Sequence, residues 1–129
     1  MFFQIDPSNG LAIYDQVVRQ MKFAVAGGVL RTGEMVPSVR ELARELAVNP
    51  NTVARAYRCL QDDGVLETFR GQGLAVTANA RERCLADRLQ LIRIRIQQVL
   101  VEAKQSRLAP QELRAIVEEE LQGLGGREE

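Results

Sequence analysis

The sequence predicts a mostly α-helical protein with one small β-hairpin, divided into two regions. Apolar residues recur at helical spacing between residues 13 and 63, alternate with polar residues between 65 and 77, and return to helical spacing beyond residue 80. The 129 residues, 46% of them hydrophobic, suffice for one compact domain and a modest appendage. We therefore expect a domain over residues 1–78 and a helical region over residues 79–129.

The first predicted helix follows a short apolar stretch at residues 2–5 and a turn at residues 6–10. Its apolar positions recur every three or four residues from Ile13 to Val25. The glycine pair at residues 27–28 then supplies a natural stop, which predicts a helix of about four turns.

Two further helices are predicted by their start signals. Ser38 and Glu41 have the S-x-x-E spacing of a capping box, so a helix begins at Ser38 and ends near Ala47 after about two turns. The pair at residues 49–50 places Asn at an N-cap and Pro in the first turn, which starts a third helix that stops before Gly64. Two short helices joined by three or four residues have the spacing of a helix-turn-helix.

The third helix has two opposite faces at 100° per residue. Its apolar face consists of Val53, Tyr57 and Leu60. Its polar face consists of Asn51, Arg55 and Arg58. Arginine can bind guanine and asparagine can bind adenine through paired hydrogen bonds in the major groove, so this face could read DNA. On this helix alone, an ordinary solvated face of an amphipathic helix explains the pattern equally well.

After the third helix, the period-two residues 65–69 and 74–77 predict a β-hairpin with a tip at residues 70–73. A hairpin in this place is the winged variant of the helix-turn-helix. Arg70 and Gln72 could reach a minor groove or a phosphate, whereas a plain tight turn would need glycine but not arginine. In the second helix, Arg40 lies beside backbone amides that can bind phosphate oxygens, although an ion pair with neighbouring carboxylates can coexist with that role.

The region beyond residue 79 contains an apolar seam with alternating spacings of four and three residues. The seam consists of Leu85, Leu89, Ile92, Ile96, Val99 and Ala103. It predicts dimerisation through this helix, with packing against the first helix as the alternative. A break at residues 106–110 precedes a short last helix, which we expect to end at Gly123 before a flexible acidic tail.

Three separated segments carry a resemblance to a known family. They are residues 36–43 (VPSVRELA), residues 48–57 (VNPNTVARAY) and residues 63–64 with the tip RGQG. In this order they look like the winged helix-turn-helix of the GntR family of bacterial transcription regulators. Residues 5–7 (IDP), residues 13–17 (IYDQV) and a tail of about 50 residues resemble the YtrA-like subfamily, whose members carry a short two-helix dimerisation region. Ala47 departs from the family, whose turn usually has glycine here.

The resemblance implies a homodimeric transcription regulator, most simply a repressor of a transporter operon, that binds a palindromic operator in double-stranded DNA. The DNA-binding residues that it implies are Ser38, Arg40, Asn49, Asn51, Thr52, Arg55, Arg70, Gly71 and Gln72. Arg58 is added from the helical face alone. The alternative function is a winged-helix protein-interaction module that assembles a complex through its C-terminal helix.

Composition excludes several other classes of function. The chain has no His and two cysteines, so we expect no catalytic site, no metal and no cofactor. Because 17 basic residues balance 17 acidic ones, a nucleic-acid partner must be met by a local patch. The absence of a long apolar run predicts a cytoplasmic protein without a membrane span. Cys59 and Cys84 are more consistent with small buried side chains than with redox sensors, and no effector ligand is identified.

Overall fold

The computed structural model describes the backbone of residues 4–128 and the side chains of residues 4–125. Within these described residues, five helices and one hairpin follow in the order α1 (Ile13–Ala26), α2 (Val39–Leu46), α3 (Pro50–Asp62), β1 (Leu66–Thr68), β2 (Leu74–Val76), α4 (Ala80–Gln105) and α5 (Pro110–Glu128). The predicted fold class, mostly helical with a small hairpin, is confirmed. The apolar stretch predicted at residues 2–5 lies largely outside the described residues.

The first compact unit ends at Leu91 and has its core between α1, α2, α3, the hairpin and the start of α4. Helices α1 and α2 both pack against α3. The largest fully buried side chains include Val17, Met21, Leu42, Val53, Leu60 and Leu66. Burying one such side chain stabilises the fold by about 1.5–3 kcal/mol, so this cluster is the main source of the unit's stability. α3 is therefore fixed along one whole face.

Two glutamines of α1 hold the preceding segment against the helix. The side-chain amide of Gln16 accepts a hydrogen bond from the Asp6 amide at 2.9 Å and donates one to the Asp6 carbonyl at 2.8 Å. Gln20, one turn later, exchanges the same pair of hydrogen bonds with the backbone of Gln4. These side chains bind residues 4 and 6 as a neighbouring β-strand would, which satisfies backbone groups that no sheet covers.

The hairpin forms the wing of the first unit. β1 and β2 pair antiparallel, with Leu66 opposite Val76 and Thr68 opposite Leu74. Residues 33–36 pair with the other edge of β2, because Gly33 donates to the Val76 carbonyl at 2.8 Å and Val36 donates to the Leu74 carbonyl at 3.0 Å. The segment before α2 thus anchors the wing beside the helix-turn-helix, a pairing that the sequence did not predict.

The first three turns of α4 belong to the first unit, where Ala80 and Cys84 are buried in its core. Lys22 of α1 binds these turns to α3. Its ammonium donates to Asp63, which follows α3, at 2.8 Å and to Asp87 of α4 at 3.0 Å. Burial alone would lower the pKa of Lys22, but the hydrogen bonds and charges of the two carboxylates outweigh it and raise the pKa.

The second unit begins at Ile92 and contains the rest of α4 and α5. The helices are separated at Arg107, which has a φ of 61°, and the amide of Ala109 donates to the Glu112 carboxylate at the start of α5. The expectation that the last helix ends at Gly123 is wrong, because α5 continues to Glu128. Glycine ends a helix when it adopts a left-handed conformation, and Gly123 has no positive φ.

Candidate nucleic-acid interface

The start of α2 is built as the sequence predicts. The Ser38 hydroxyl accepts a hydrogen bond from the Glu41 amide, and the Glu41 carboxylate accepts one from the Ser38 amide, each at 3.1 Å. Hydrogen bonds from the backbone amide and the side chain of Ser38 to the Glu41 carboxylate lower the pKa of Glu41. Arg40 is exposed in the first turn that follows. A basic side chain therefore stands at a helix N-terminus, where uncapped amides and the helix dipole favour an anion such as phosphate.

The turn between α2 and α3 is short and internally bonded. Ala47 adopts the left-handed conformation with a φ of 56°, and the Val48 amide donates back to the Ala43 carbonyl at 3.0 Å. The Asn49 side-chain oxygen accepts a hydrogen bond from the Asn51 amide at 2.8 Å and caps α3. This bond occupies the oxygen of Asn49, so its amide NH2 is the group that remains able to donate to a base or phosphate.

Helix α3 separates into the two faces that the sequence predicts. Val53, Tyr57 and Leu60 are buried, whereas Asn51, Arg55 and Arg58 are exposed. Thr52 is half-buried beside them. Asn51 and Arg55 thus offer an amide and a guanidinium in the N-terminal half of the helix, where the second helix of a helix-turn-helix contacts base edges.

Two side chains fix this face against the rest of the unit. The Tyr57 hydroxyl donates to the Pro37 carbonyl at 2.7 Å and joins α3 to the segment before α2. Burial raises the pKa of Tyr57, and nearby carboxylates raise it further, so the hydroxyl remains a donor at neutral pH. The Arg55 guanidinium lies over the ring of Tyr14, with its central carbon 3.7 Å from the ring centroid.

The wing ends in a tight turn at Arg70 and Gly71. Both residues have positive φ, 50° and 70°, and the Gln72 amide donates to the Phe69 carbonyl at 2.9 Å, as in a type I′ turn. A non-glycine residue is disfavoured in this conformation, so the backbone gives no reason for an arginine at this position. The Arg70 guanidinium lies 5.3 Å from the Phe69 ring centroid, within the range of a cation–π contact.

The wing and the start of α2 line one groove of about 430 Å³. Ser38 and Gln72 both line it, so two of the predicted segments are neighbours in space. Every predicted DNA-binding residue other than the half-buried Thr52 is exposed.

Sequence reasoning missed Tyr14 and Lys22. Residue 22 lies on the same face of α1 as the buried Val18 and Val25, and this spacing could have predicted that Lys22 is buried.

The predicted dimerisation seam is exposed over its central part. Leu85 packs against the core of the first unit, and Ala103 is buried. The four positions between them are exposed hydrophobic residues: Leu89, Ile92, Ile96 and Val99. Within the second unit, an almost wholly apolar groove of about 370 Å³ lies between Ile96 of α4 and Leu113 and Val117 of α5.

The described part of the chain contains neither a metal-binding cluster nor a membrane span. No group of three or more acidic or thiol side chains is placed to hold a metal ion there. Among the same residues, no helix has the length and apolar composition needed to cross a membrane. Cys84 is buried, and this burial raises the pKa of its thiol to about 11.

A helix-turn-helix with a polar outer face on its second helix, followed by a β-hairpin wing, defines the winged helix-turn-helix class of DNA-binding domains. Residues 13–76 match the family model for bacterial regulatory proteins of the gntR family. The chain is 38% identical over 100 residues to the HTH-type transcriptional repressor YtrA of Bacillus subtilis, an alignment that covers 78% of this chain and 77% of YtrA. The chain therefore belongs to the gntR family of bacterial regulatory proteins.

Solved structures agree with this assignment. A transcriptional antiterminator from Listeria monocytogenes superposes with a TM-score of 0.67 and 29% identity, covering 92% of this chain and 89% of that one. YtrA from Sulfolobus acidocaldarius, a GntR-family transcription factor, superposes with a TM-score of 0.59 and 30% identity, covering 78% of this chain and 99% of that one. The predicted resemblance to YtrA-like GntR regulators is confirmed, and a role in transcription regulation through a DNA-binding domain follows.

Proposed function

We propose that this chain acts as a homodimer that binds a palindromic operator sequence-specifically and represses transcription. The observation that carries the proposal is the exposed polar face of α3, with Asn51, Arg55 and Arg58 opposite a fully packed apolar face. Such a face can enter a major groove without disturbing the core. The name of the Bacillus relative, a repressor, supports repression. Transporter genes are proposed as targets because of the resemblance to the YtrA-like subfamily.

Each segment has its own part in the proposed complex. Asn51, Thr52 and Arg55 read base edges, because they lie in the first half of α3. Ser38, Arg40 and Asn49 bind phosphates from the starts of α2 and α3, and Arg58 binds one from the second half of α3. Arg70, Gly71 and Gln72 reach a minor groove or phosphate from the wing. Since the chain's net charge is zero, affinity depends on these few groups and on the presence of two heads.

Dimerisation is supported by apolar surface that the chain leaves exposed. Ile92, Ile96 and Val99 are each about half exposed, and four residues of α5 are equally exposed: Ile116, Val117, Leu121 and Leu124. Exposed apolar side chains concentrated on two neighbouring helices in this way favour an interface. A second copy offers the same surface and can cover it symmetrically, which pairs two heads for half-sites about one helical turn apart.

DNA binding is tested by titrating fragments of the gene's own upstream region with purified protein at two salt concentrations. We expect two chains per palindrome, weaker binding at higher salt, and a loss of about 1–3 kcal/mol in Arg55→Ala. Arg114→Ala removes the same charge from the exposed side of α5, outside residues 13–76, and is the matched control. Absence of binding to every fragment would refute the proposal and favour a protein-interaction module.

Dimerisation is tested by sedimentation analysis of an Ile96→Glu variant. Ile96 is 54% exposed in the seam, so a charge there leaves the single chain intact but disfavours burial against a partner. Gln97→Glu introduces the same carboxylate at the adjacent exposed position and should remain dimeric. A wild-type protein that sediments as a monomer at micromolar concentration, or an Ile96→Glu variant that remains a dimer, would exclude this interface.

A further inference from the structure

The aromatic residue that precedes the helix-turn-helix lies directly against its central arginine. Tyr14 is in the first turn of α1, and its half-buried ring packs against the core of the first unit. Arg55 is exposed on α3, and its guanidinium carbon lies 3.7 Å from the centroid of the Tyr14 ring. That separation is van der Waals contact between a cation and the face of a ring, the geometry of a cation–π interaction.

The contact leaves the hydrogen-bonding groups of Arg55 available. The five N–H donors of a guanidinium lie in its plane and point from its edges, whereas the stacking uses its face. An arginine stacked on a ring can therefore still donate two parallel hydrogen bonds to guanine or to a phosphate. The ring is itself held by the core, so it restricts a long side chain that would otherwise sample many rotamers.

We propose that Tyr14 is a positioning residue for DNA recognition, which holds Arg55 in an extended, base-directed orientation before DNA arrives. Tyr14 acts through Arg55 and is not itself a base-reading residue. A side chain that is ordered in the free protein loses less entropy on binding, so affinity for the specific sequence rises. The inference rests on the proposed function, because it requires Arg55 to contact DNA.

The contact itself is measured in the free protein by NMR. In wild type, we expect the ring current of Tyr14 to shift the Arg55 side-chain protons upfield, because the guanidinium lies over the ring. Tyr14→Leu should remove that shift and Tyr14→Phe should retain it, since phenylalanine keeps the ring. An Arg55 spectrum that is unchanged in Tyr14→Leu would overturn the inference without any reference to DNA. If Tyr14→Leu loses its helical circular dichroism, Tyr14→Met removes the ring with a more adaptable side chain.

The consequence is measured by a double-mutant cycle on the upstream fragment that wild type binds most tightly. Tyr14→Leu should weaken binding about two- to five-fold, the range expected for an exposed cation–π contact, and Tyr14→Phe should restore it. In an Arg55→Ala background, Tyr14→Leu should have no further effect. Phe23→Leu makes the same kind of change about 13 Å further along α1 and serves as the control.

The outcomes separate the two proposals. If Arg55→Ala weakens binding but Tyr14→Leu has equal effects in both backgrounds, the role of Tyr14 is excluded and the proposed function stands. If Tyr14→Leu weakens specific and unrelated DNA equally, its effect is structural and the inference also fails. If Arg55→Ala binds like wild type, or wild type binds no fragment, the proposed role of Arg55 and the inference fail together.

Discussion

Replacing Lys22 by methionine tests how α1, α3 and α4 are joined in the first unit. The Lys22 ammonium lies between the carboxylates of Asp63 and Asp87, at 2.8 and 3.0 Å. Methionine preserves most of the apolar stem of the lysine side chain and removes only the charge and its donors. The variant therefore isolates the contribution of the ion pairs from the contribution of packing.

The expected cost follows from the exposure of the three groups. Removing one partner of a fully buried pair costs about 3–5 kcal/mol, whereas an exposed pair contributes about 0–1 kcal/mol. The Lys22 side chain is 9% exposed, but Asp63 and Asp87 are 46% and 36% exposed, so water can hydrate both carboxylates once the ammonium is gone. We expect a loss of about 2 kcal/mol in the free energy of unfolding.

The assay is urea unfolding followed by far-ultraviolet circular dichroism at one fixed protein concentration, because a dimer's stability depends on concentration. Lys104→Met makes the same substitution at an exposed position of α4 and should cost less than about 0.5 kcal/mol. The triple variant Lys22→Met/Asp63→Asn/Asp87→Asn should recover part of the loss, since it removes the unpaired charges. Equal stabilities of Lys22→Met and Lys104→Met would refute the reasoning.

The difference in stability between wild type and Lys22→Met should also depend on pH. The pKa of Lys22 is raised in the folded state, so its contribution is fully present below the ordinary lysine pKa of about 10.4 and is lost as pH rises through the folded value. The difference in stability between wild type and Lys22→Met should therefore be constant from about pH 6 to about pH 9 and shrink above about pH 10.4. A difference that disappears near neutral pH would contradict this.

Three further predictions concern single positions. Ser38→Ala removes a helix cap and should cost about 1 kcal/mol in the free energy of unfolding, measured with urea. Because the pKa of Glu41 is lowered in the folded protein, its capping contribution is present above the ordinary glutamate pKa and is lost as pH falls through the lowered pKa. Unchanged stability would mean that the cap is not formed in solution. Ala47→Gly should stabilise the protein by about 0.5 kcal/mol, because relief of the left-handed alanine exceeds the added flexibility of the unfolded chain, and a loss of stability would argue against the observed turn. In a Cys59→Ser variant, Cys84 should react with a thiol reagent only on unfolding, since it is buried with a pKa of about 11, and rapid labelling in native buffer would disprove this.

Local chemistry explains why the boundaries of α2 and α3 were predictable. Ser38 and Asn49 each bond to an amide within three residues, so their capping role depends on nearby sequence alone. The predicted end of α5 was wrong because a glycine by itself does not determine where a helix stops. Glycine lowers helix propensity by only about 1 kcal/mol, which weakens a helix without ending it. Only the backbone conformation decides whether a glycine stops a helix, and neither Gly123 nor Gly125 becomes left-handed.

The candidate site also combines features that the sequence predicted with features that it did not. The exposed face of α3 follows from helical periodicity, so Asn51, Arg55 and Arg58 could be assigned to it from spacing alone. The contact of Arg55 with Tyr14 spans 41 positions in the chain, and no pattern in one sequence marks it. The local sequence likewise does not show which segment pairs with the outer edge of β2, because residues 33–36 have the composition of a turn and their pairing with β2 is a tertiary contact.

The sequence by itself determined the order of the elements, the caps, the two faces of α3 and the resemblance to a family, because each depends on spacing within one segment. The tertiary structure decided which side chains from distant segments meet. Lys22 is a buried cation because the end of α3 and the first turns of α4 bring two carboxylates to it. The same packing placed Tyr14 under Arg55. Burial and charge pairing are properties of the assembled helices, and a linear sequence does not contain the distances on which they depend.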